Sequence, residues 1–174
     1  MSEISEGKET VRLEITFVRH AQSLYNAGLA DVKNCPLSPK GCQEASLLGG
    51  EFDLLVLSPL KRAIQTYAFS QIKAGEIVVS PLARENKTRT LNLLDGECDP
   101  PAGGWETGAE VQIRSLSLLN WLKERAGSSG GSVFKVGVVS HHDFLRDTFG
   151  RCFGVQKFFR NCEAVSVSFP VEKP

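Results

Sequence analysis

The sequence predicts an α/β protein in which a largely parallel sheet is covered by helices on both faces. Short apolar runs, often β-branched and bounded by polar or turn residues, alternate along the chain with segments whose apolar residues recur at helical spacing. Strand and helix in alternation imply crossover connections, and these leave the strands parallel. At 174 residues the chain is long enough for one hydrophobic core without disulfide support.

Residues 1–10 are polar and charged, and are expected to form a flexible terminus ahead of one domain over 11–174. Five strands are predicted at 13–18, 52–57, 77–79, 133–139 and 164–169. Four helices are predicted between them, the first over 38–48. The second spans 59–72, with Ser58 as a candidate cap and Pro59 in its first turn. The third spans 107–125 and gathers Val111, Leu118, Leu119 and Leu122 near one face, the stripe that packs on a sheet. It stops at Gly127, before a Ser/Gly-rich connector at 128–132. The fourth spans 143–153. No internal repeat interrupts the pattern.

Twenty basic residues balance twenty acidic ones, so no global field draws the chain to nucleic acid or an anionic membrane. The five cysteines are odd in number and contain no C-x-x-C pair, which suggests neither a zinc site nor a disulfide framework and fits a reducing compartment. The first ten residues lack the apolar stretch of a signal peptide, and no later run approaches a membrane span. Cytoplasmic residence is the expectation.

In a parallel sheet, ligands bind beyond the carboxyl ends of the strands. Four consecutive ends carry reactive or charged residues: Arg19 and His20 after the first, Arg62 after the second, Glu85 after the third, His141 after the fourth. The chain has three histidines, and all fall in two of these segments. A neutral imidazole there can attack phosphorus if the phosphoryl charge is neutralised and a proton reaches the leaving oxygen. Guanidinium forks match phosphate oxygens, and a protonated carboxyl supplies the proton. That chemistry needs no metal and no cofactor. A nucleoside-triphosphatase would need a Gly-rich loop ending in G-K-[ST], which is missing. His141, His142 and Asp143 are consecutive, a poor ligand set for one metal.

The segment Phe17-Val18-Arg19-His20-Ala21-Gln22-Ser23-Leu24-Tyr25-Asn26 resembles the signature of the histidine phosphatase superfamily, also called phosphoglycerate mutase-like. Leu57-Ser58-Pro59-Leu60-Lys61-Arg62-Ala63-Ile64-Gln65-Thr66 and Val139-Ser140-His141 resemble its second-arginine and second-histidine motifs, in the expected order. Pro36-Leu37-Ser38-Pro39-Lys40-Gly41 matches the start of its first helix, so the likeness spans about residues 13–169. The resemblance implies a three-layer α/β/α sandwich with one antiparallel edge strand. It also implies that His20 is phosphorylated and that Arg19, Arg62 and His141 hold the phosphoryl group, with a polar contact from Asn26. Glu85 fits best as the acid, with Glu51, Glu97 and Glu106 as alternatives. The chain departs from the pattern at Ala21, where many relatives have glycine, and at His142, where a small residue is common.

Three functions follow from this resemblance. A phosphatase of small phosphorylated substrates or phosphopeptides is favoured, because only 86–106 lies between Glu85 and the long third helix, little material for a lid. A mutase would need more enclosure to protect its phosphoenzyme from water. A non-catalytic phospho-ligand binder would not need the intact residue set. Arg84, Lys87 and Arg89 either meet a second anionic group on the substrate or form a solvated charged loop. Trp105 either lines the pocket mouth or pins its loop to the core.

Overall fold

The computed structural model describes residues 8–174, so residues 1–7 of the expected flexible terminus lie outside it. Five strands form one sheet in the order β3-β2-β4-β1-β5. β1 (Thr10–Arg19) pairs in parallel with β4 (Val133–Ser140) and antiparallel with the edge strand β5 (Ala164–Glu172). β2 (Gly49–Leu57) runs parallel to both β4 and the other edge strand, β3 (Gln71–Val79). The mostly parallel sheet with one antiparallel pair is the fold that the sequence predicted.

Alternation along the strands assigns each face its helices. Val11, Leu13, Ile15 and Phe17 of β1 join Leu54, Val56, Val136 and Val138 on one face. They pack under α3 (Gly108–Gly127), through Val111, Leu118, Leu119 and Leu122, and under α4 (His142–Cys152), through Phe144, Leu145 and Phe149. Each Leu or Phe buried this fully contributes about 1.5–3 kcal/mol. On the opposite face Val18, Leu55, Leu57 and Val139 pack against Ala63 of α2 (Lys61–Phe69), which α1 (Pro39–Ser46) flanks.

Two elements differ most from the sequence expectation, while β1, β2 and β5 each extend three residues beyond theirs at one end. The second helix does not fill 59–72: it begins at Lys61, whose N–H is taken by the Asn34 side chain, and Ser58 is not its cap. It ends at Phe69, because the Ser70 hydroxyl donates to Tyr67 O and accepts from Ile72 N–H, turning the chain into β3. β3 is therefore nine residues long where three were expected, since Lys73, Gly75 and Glu76 of a half-solvated edge hide its apolar alternation.

The register aligns the carboxyl ends. Arg19 lies opposite Ser140, Leu57 opposite Val139, and Leu57 also opposite Val79. His20, Ser58, Ser80 and His141 thus leave the sheet at one level. Bonds from several elements hold the loop after β1 there, among them His20 N–H to Ser140 O at 2.9 Å, Ala21 N–H to Thr66 Oγ1 at 2.9 Å, Cys162 N–H to Arg19 O at 3.1 Å, and Ser38 N–H to Gln22 O at 2.9 Å.

Gly41 in α1 sits against that loop so closely that an added Cβ would lie 2.0 Å from Gln22 O. Backbone on both sides leaves nothing flexible to yield. Gly41→Ala is expected to lower stability by about 1–3 kcal/mol, as overpacking does, and to displace the loop bearing His20. Thermal unfolding and turnover, measured on the same preparation, check both effects.

Candidate active site

His20 is almost fully buried, and its orientation follows from its own loop. Nδ1 lies 2.6 Å from Ala21 O, a carbonyl that can only accept, so Nδ1 carries the proton. Nε2 then keeps its lone pair and accepts from Arg62 Nε–H at 3.3 Å. Burial first, then the charges of Arg62 and Arg19, push the imidazolium pKa of His20 well below the usual histidine range. The ring is neutral, with an unprotonated nitrogen beside a guanidinium.

Arg62, in the first turn of α2, is buried and fixed from the far side by Nη1 to Leu91 O at 3.3 Å and Nη2 to Asn92 Oδ1 at 2.9 Å. Burial lowers its pKa to about 10, which still leaves it charged at neutral pH. Three of its five N–H groups are used, and two remain. Lys61 beside it points to solvent and pairs with Asp95. Arg19 donates Nη1 to Phe159 O at 2.8 Å, while its Nε is buried without a partner.

His141 stands beside His20, ring centroids 5.0 Å apart, and is completely buried. Its Nε2 meets Ser58 Oγ at 2.6 Å and its Nδ1 has no partner. Burial, Arg62 and His20 hold it neutral. His141 itself does not line the hollow; its neighbour His142 does, with Nδ1 donating to Phe159 O at 3.0 Å and its ring stacked on Phe158.

Glu85 faces the same hollow. Its Oε1 accepts from Asn86 N–H at 3.0 Å and Phe144 N–H at 2.9 Å, and its Oε2 accepts from Asp143 N–H at 3.3 Å. Burial and the nearby Asp143 raise its pKa, against the pull of Arg62 and of the amides. With Oε1 doubly engaged, Oε2 is the oxygen left to carry a proton. The other glutamates have different partners: Glu97 binds Arg84, which lowers its pKa to about 2, Glu106 binds Arg114, and Glu51 lies near Lys73.

These side chains enclose a hollow of about 250 Å³ lined by Arg19, His20, Arg62 and Glu85, with Asn26, Tyr25, Arg89, Asn92, His142 and Asp143 around them. Asn26 Oδ1 accepts from Ser23 N–H, Ser23 Oγ and Asn161 Nδ2, which turns its amide nitrogen to other partners. Of the basic segment only Arg89 reaches the hollow, braced by Nη1 on Tyr25 OH at 2.9 Å. Arg84 is buried in its pair with Glu97, and Lys87 shares a separate hollow with Trp105, which therefore does not line this mouth. Sequence reasoning missed Asn92, Asp143 and the lining role of His142. Asn92 ends a short 3-10 turn, Thr90–Asn92, with no strand end to flag it, whereas the fourth strand end did flag the other two.

Gly127-Ser128-Ser129-Gly130-Gly131 has the spacing of a serine-nucleophile elbow, yet it joins a helix to a strand where an elbow joins a strand to a helix. Among the described residues, no three His, Cys, Asp or Glu side chains are grouped to hold a metal ion, and no helix is long and apolar enough to cross a membrane.

Residues 15–86, which carry Arg19, His20, Arg62 and Glu85, match the family model of the histidine phosphatase superfamily, branch 1. No curated protein matches the chain in sequence. Among solved structures, the chain is similar to phosphoglycerate mutase from Bacillus anthracis str. Sterne, at 16% identity over 95% of this chain and 93% of that one, with a TM-score of 0.70. It is similar also to phosphoserine phosphatase from Entamoeba histolytica, solved with 3-phosphoglyceric acid (16% identity, 88% and 89% covered, TM-score 0.61). A third is mycobacterial glucosyl-3-phosphoglycerate phosphatase (18% identity, 91% and 90% covered, TM-score 0.59). At these identities the likeness to solved structures shows the fold, and the segment that carries Arg19, His20, Arg62 and Glu85 is similar to the histidine phosphatase superfamily, branch 1.

Proposed function

We propose that this protein is a phosphatase that hydrolyses phosphate monoesters through a phosphohistidine on Nε2 of His20. The observation that carries the proposal is the bond from His20 Nδ1 to Ala21 O, which leaves Nε2 its lone pair, beside Arg62 and in a hollow that Arg19 also lines. The phosphoryl group sits between Arg19 and Arg62, whose charges stabilise the equatorial oxygens of an in-line transition state. Arg19, which lines the hollow, keeps an unpartnered Nε for a phosphoryl oxygen, and His141, outside that lining with its ring 5.0 Å from that of His20, holds its place through Nε2 and the Ser58 hydroxyl. As the P–O bond breaks and the N–P bond forms, Glu85 gives its proton to the leaving oxygen. Water then attacks the phosphohistidine and returns a proton to Glu85, releasing inorganic phosphate. Phosphate, with no isomerised phosphoester, is the product expected.

His20→Ala should abolish turnover and also the trapping of a phosphoenzyme that is acid-labile and base-stable, as a phosphoramidate is. Acid-quench and alkali-quench labelling distinguish it from a phosphoserine, and labelling that survives in the variant would end the proposal.

The pH dependence has a definite sign. The reactive form needs His20 neutral and Glu85 protonated. The lowered pKa of His20 keeps the nucleophile free well into the acid range, and the raised pKa of Glu85 keeps the acid loaded above the ordinary carboxyl range. For alkyl phosphates kcat/KM should therefore fall as pH rises through the Glu85 ionisation, and in Glu85→Gln that fall should disappear from a lower, flatter profile.

Arg89 is the cation placed to meet a second anionic group on the substrate. An exposed guanidinium contact of this kind is worth about two- to fivefold in affinity after solvent screening. Arg89→Ala should raise KM by that factor for substrates with a carboxylate or a second phosphate and leave simple monoesters unaffected. An unchanged ranking of the two substrate types excludes the role.

A further inference from the structure

Arg114 and Glu106 form an ion pair that the phosphoryl-transfer scheme does not use. Both are largely buried, 12% and 8% exposed at their side chains, and neither lines the hollow. A buried pair of this kind seldom stabilises a fold more than apolar packing would. What it grips is therefore informative. Arg114 Nη1 donates to Leu82 O at 3.1 Å and Arg84 O at 2.7 Å, and Nη2 donates to Asn86 Oδ1 at 3.4 Å. Glu106 Oε2 accepts from Lys87 N–H at 3.0 Å, while Glu106 N–H donates to Lys87 O at 2.8 Å. The pair thus clamps the chain on both sides of Glu85, from the carbonyl just before it to the residue pair just after it.

The same guanidinium lies 4.3 Å over the Phe144 ring, and Phe144 N–H is one of the two donors to Glu85 Oε1. Arg114 therefore fixes the Glu85 backbone directly and, through Phe144 in α4, the group that orients its carboxyl. We propose that Arg114, clamped to Glu106, is the positioning residue that holds Glu85 where it can protonate the leaving oxygen. The inference rests on the phosphatase reading and adds to it a residue outside the hollow. Its physical basis is that an error of about 1 Å in a reacting group costs up to about 10²-fold in rate.

The test is the dependence of kcat/KM on the leaving group, because kcat/KM covers transfer to histidine only and so isolates the acid from its later role as base. 2,4-Dinitrophenyl phosphate expels an anion that needs no proton, whereas glycerol 2-phosphate expels an alkoxide that does. In Arg114→Lys the pair with Glu106 survives, but one ammonium cannot also span both carbonyls and Asn86. Its kcat/KM should fall by about 10- to 100-fold on glycerol 2-phosphate and by less than about threefold on the dinitrophenyl ester. A general loss of structure would lower both rates alike, and equal losses overturn the proposal, as does no loss on either. Should the lysine variant fail to fold, the double variant Glu106→Gln/Arg114→Met removes both charges together and carries the same two expectations. Glu85→Gln separates this inference from the one beneath it. A leaving-group split in Glu85→Gln with none in Arg114→Lys removes the positioning role and keeps the phosphatase mechanism. No split in either variant removes both.

Discussion

The hydrogen bond from Nδ1 of His20 to the carbonyl of its own neighbour, Ala21, decides which nitrogen of the ring can react. A histidine free to rotate or exchange tautomers would present a protonated nitrogen to phosphorus part of the time. Here the acceptor is a backbone carbonyl, and its position depends on the loop that leaves β1. That loop is tied to β4 through Ser140, to α2 through Thr66, and to α1 through Ser38 and the bare backbone of Gly41. Asn161 adds a bond to His20 O from the turn before β5. The sheet, the two helices of one of its faces and the turn before β5 thus converge on one peptide, and through it on one imidazole.

The surroundings of that imidazole are strongly polar for a buried place: Arg62 and His141 are buried, and Arg19 Nε and His141 Nδ1 have no partner among the described residues. In the proposed mechanism a phosphoryl group supplies oxygens between the two guanidiniums. Glu85 is held the opposite way. Burial and Asp143 favour its protonated form, while the amides at the start of α4 fix its direction. The same hollow thereby favours an unprotonated imidazole and a protonated carboxyl, each by its own surroundings.

Much of this was legible in the sequence because it sits at strand ends. The β-branched runs before Arg19, Ser58 and Ser140 announced buried parallel strands, and parallel strands put their following residues at one level. The edge strand β3 was read short because an edge does not need apolar residues throughout. Arg84 reads from the sequence as part of a basic segment that either meets a second anionic group or is solvated, since nothing local shows that Glu97 folds back on it in a bidentate pair. Asn92 and Arg114 were invisible for the same reason. Each acts on a residue far away in the chain, Arg62 in one case and the Glu85 segment in the other, and only the tertiary structure brings them there.

The central claim is that Nε2 of His20 is the atom that takes phosphorus, with Nδ1 anchored behind it. A crystal structure of the protein with orthovanadate tests this directly, because vanadium adopts the geometry of the transferring phosphoryl group. The account predicts vanadium bonded to His20 Nε2, its equatorial oxygens held by Arg19 and Arg62, and the Nδ1 to Ala21 O bond unbroken. Vanadium bonded to another side chain, or to a His20 ring turned off that carbonyl, would contradict it.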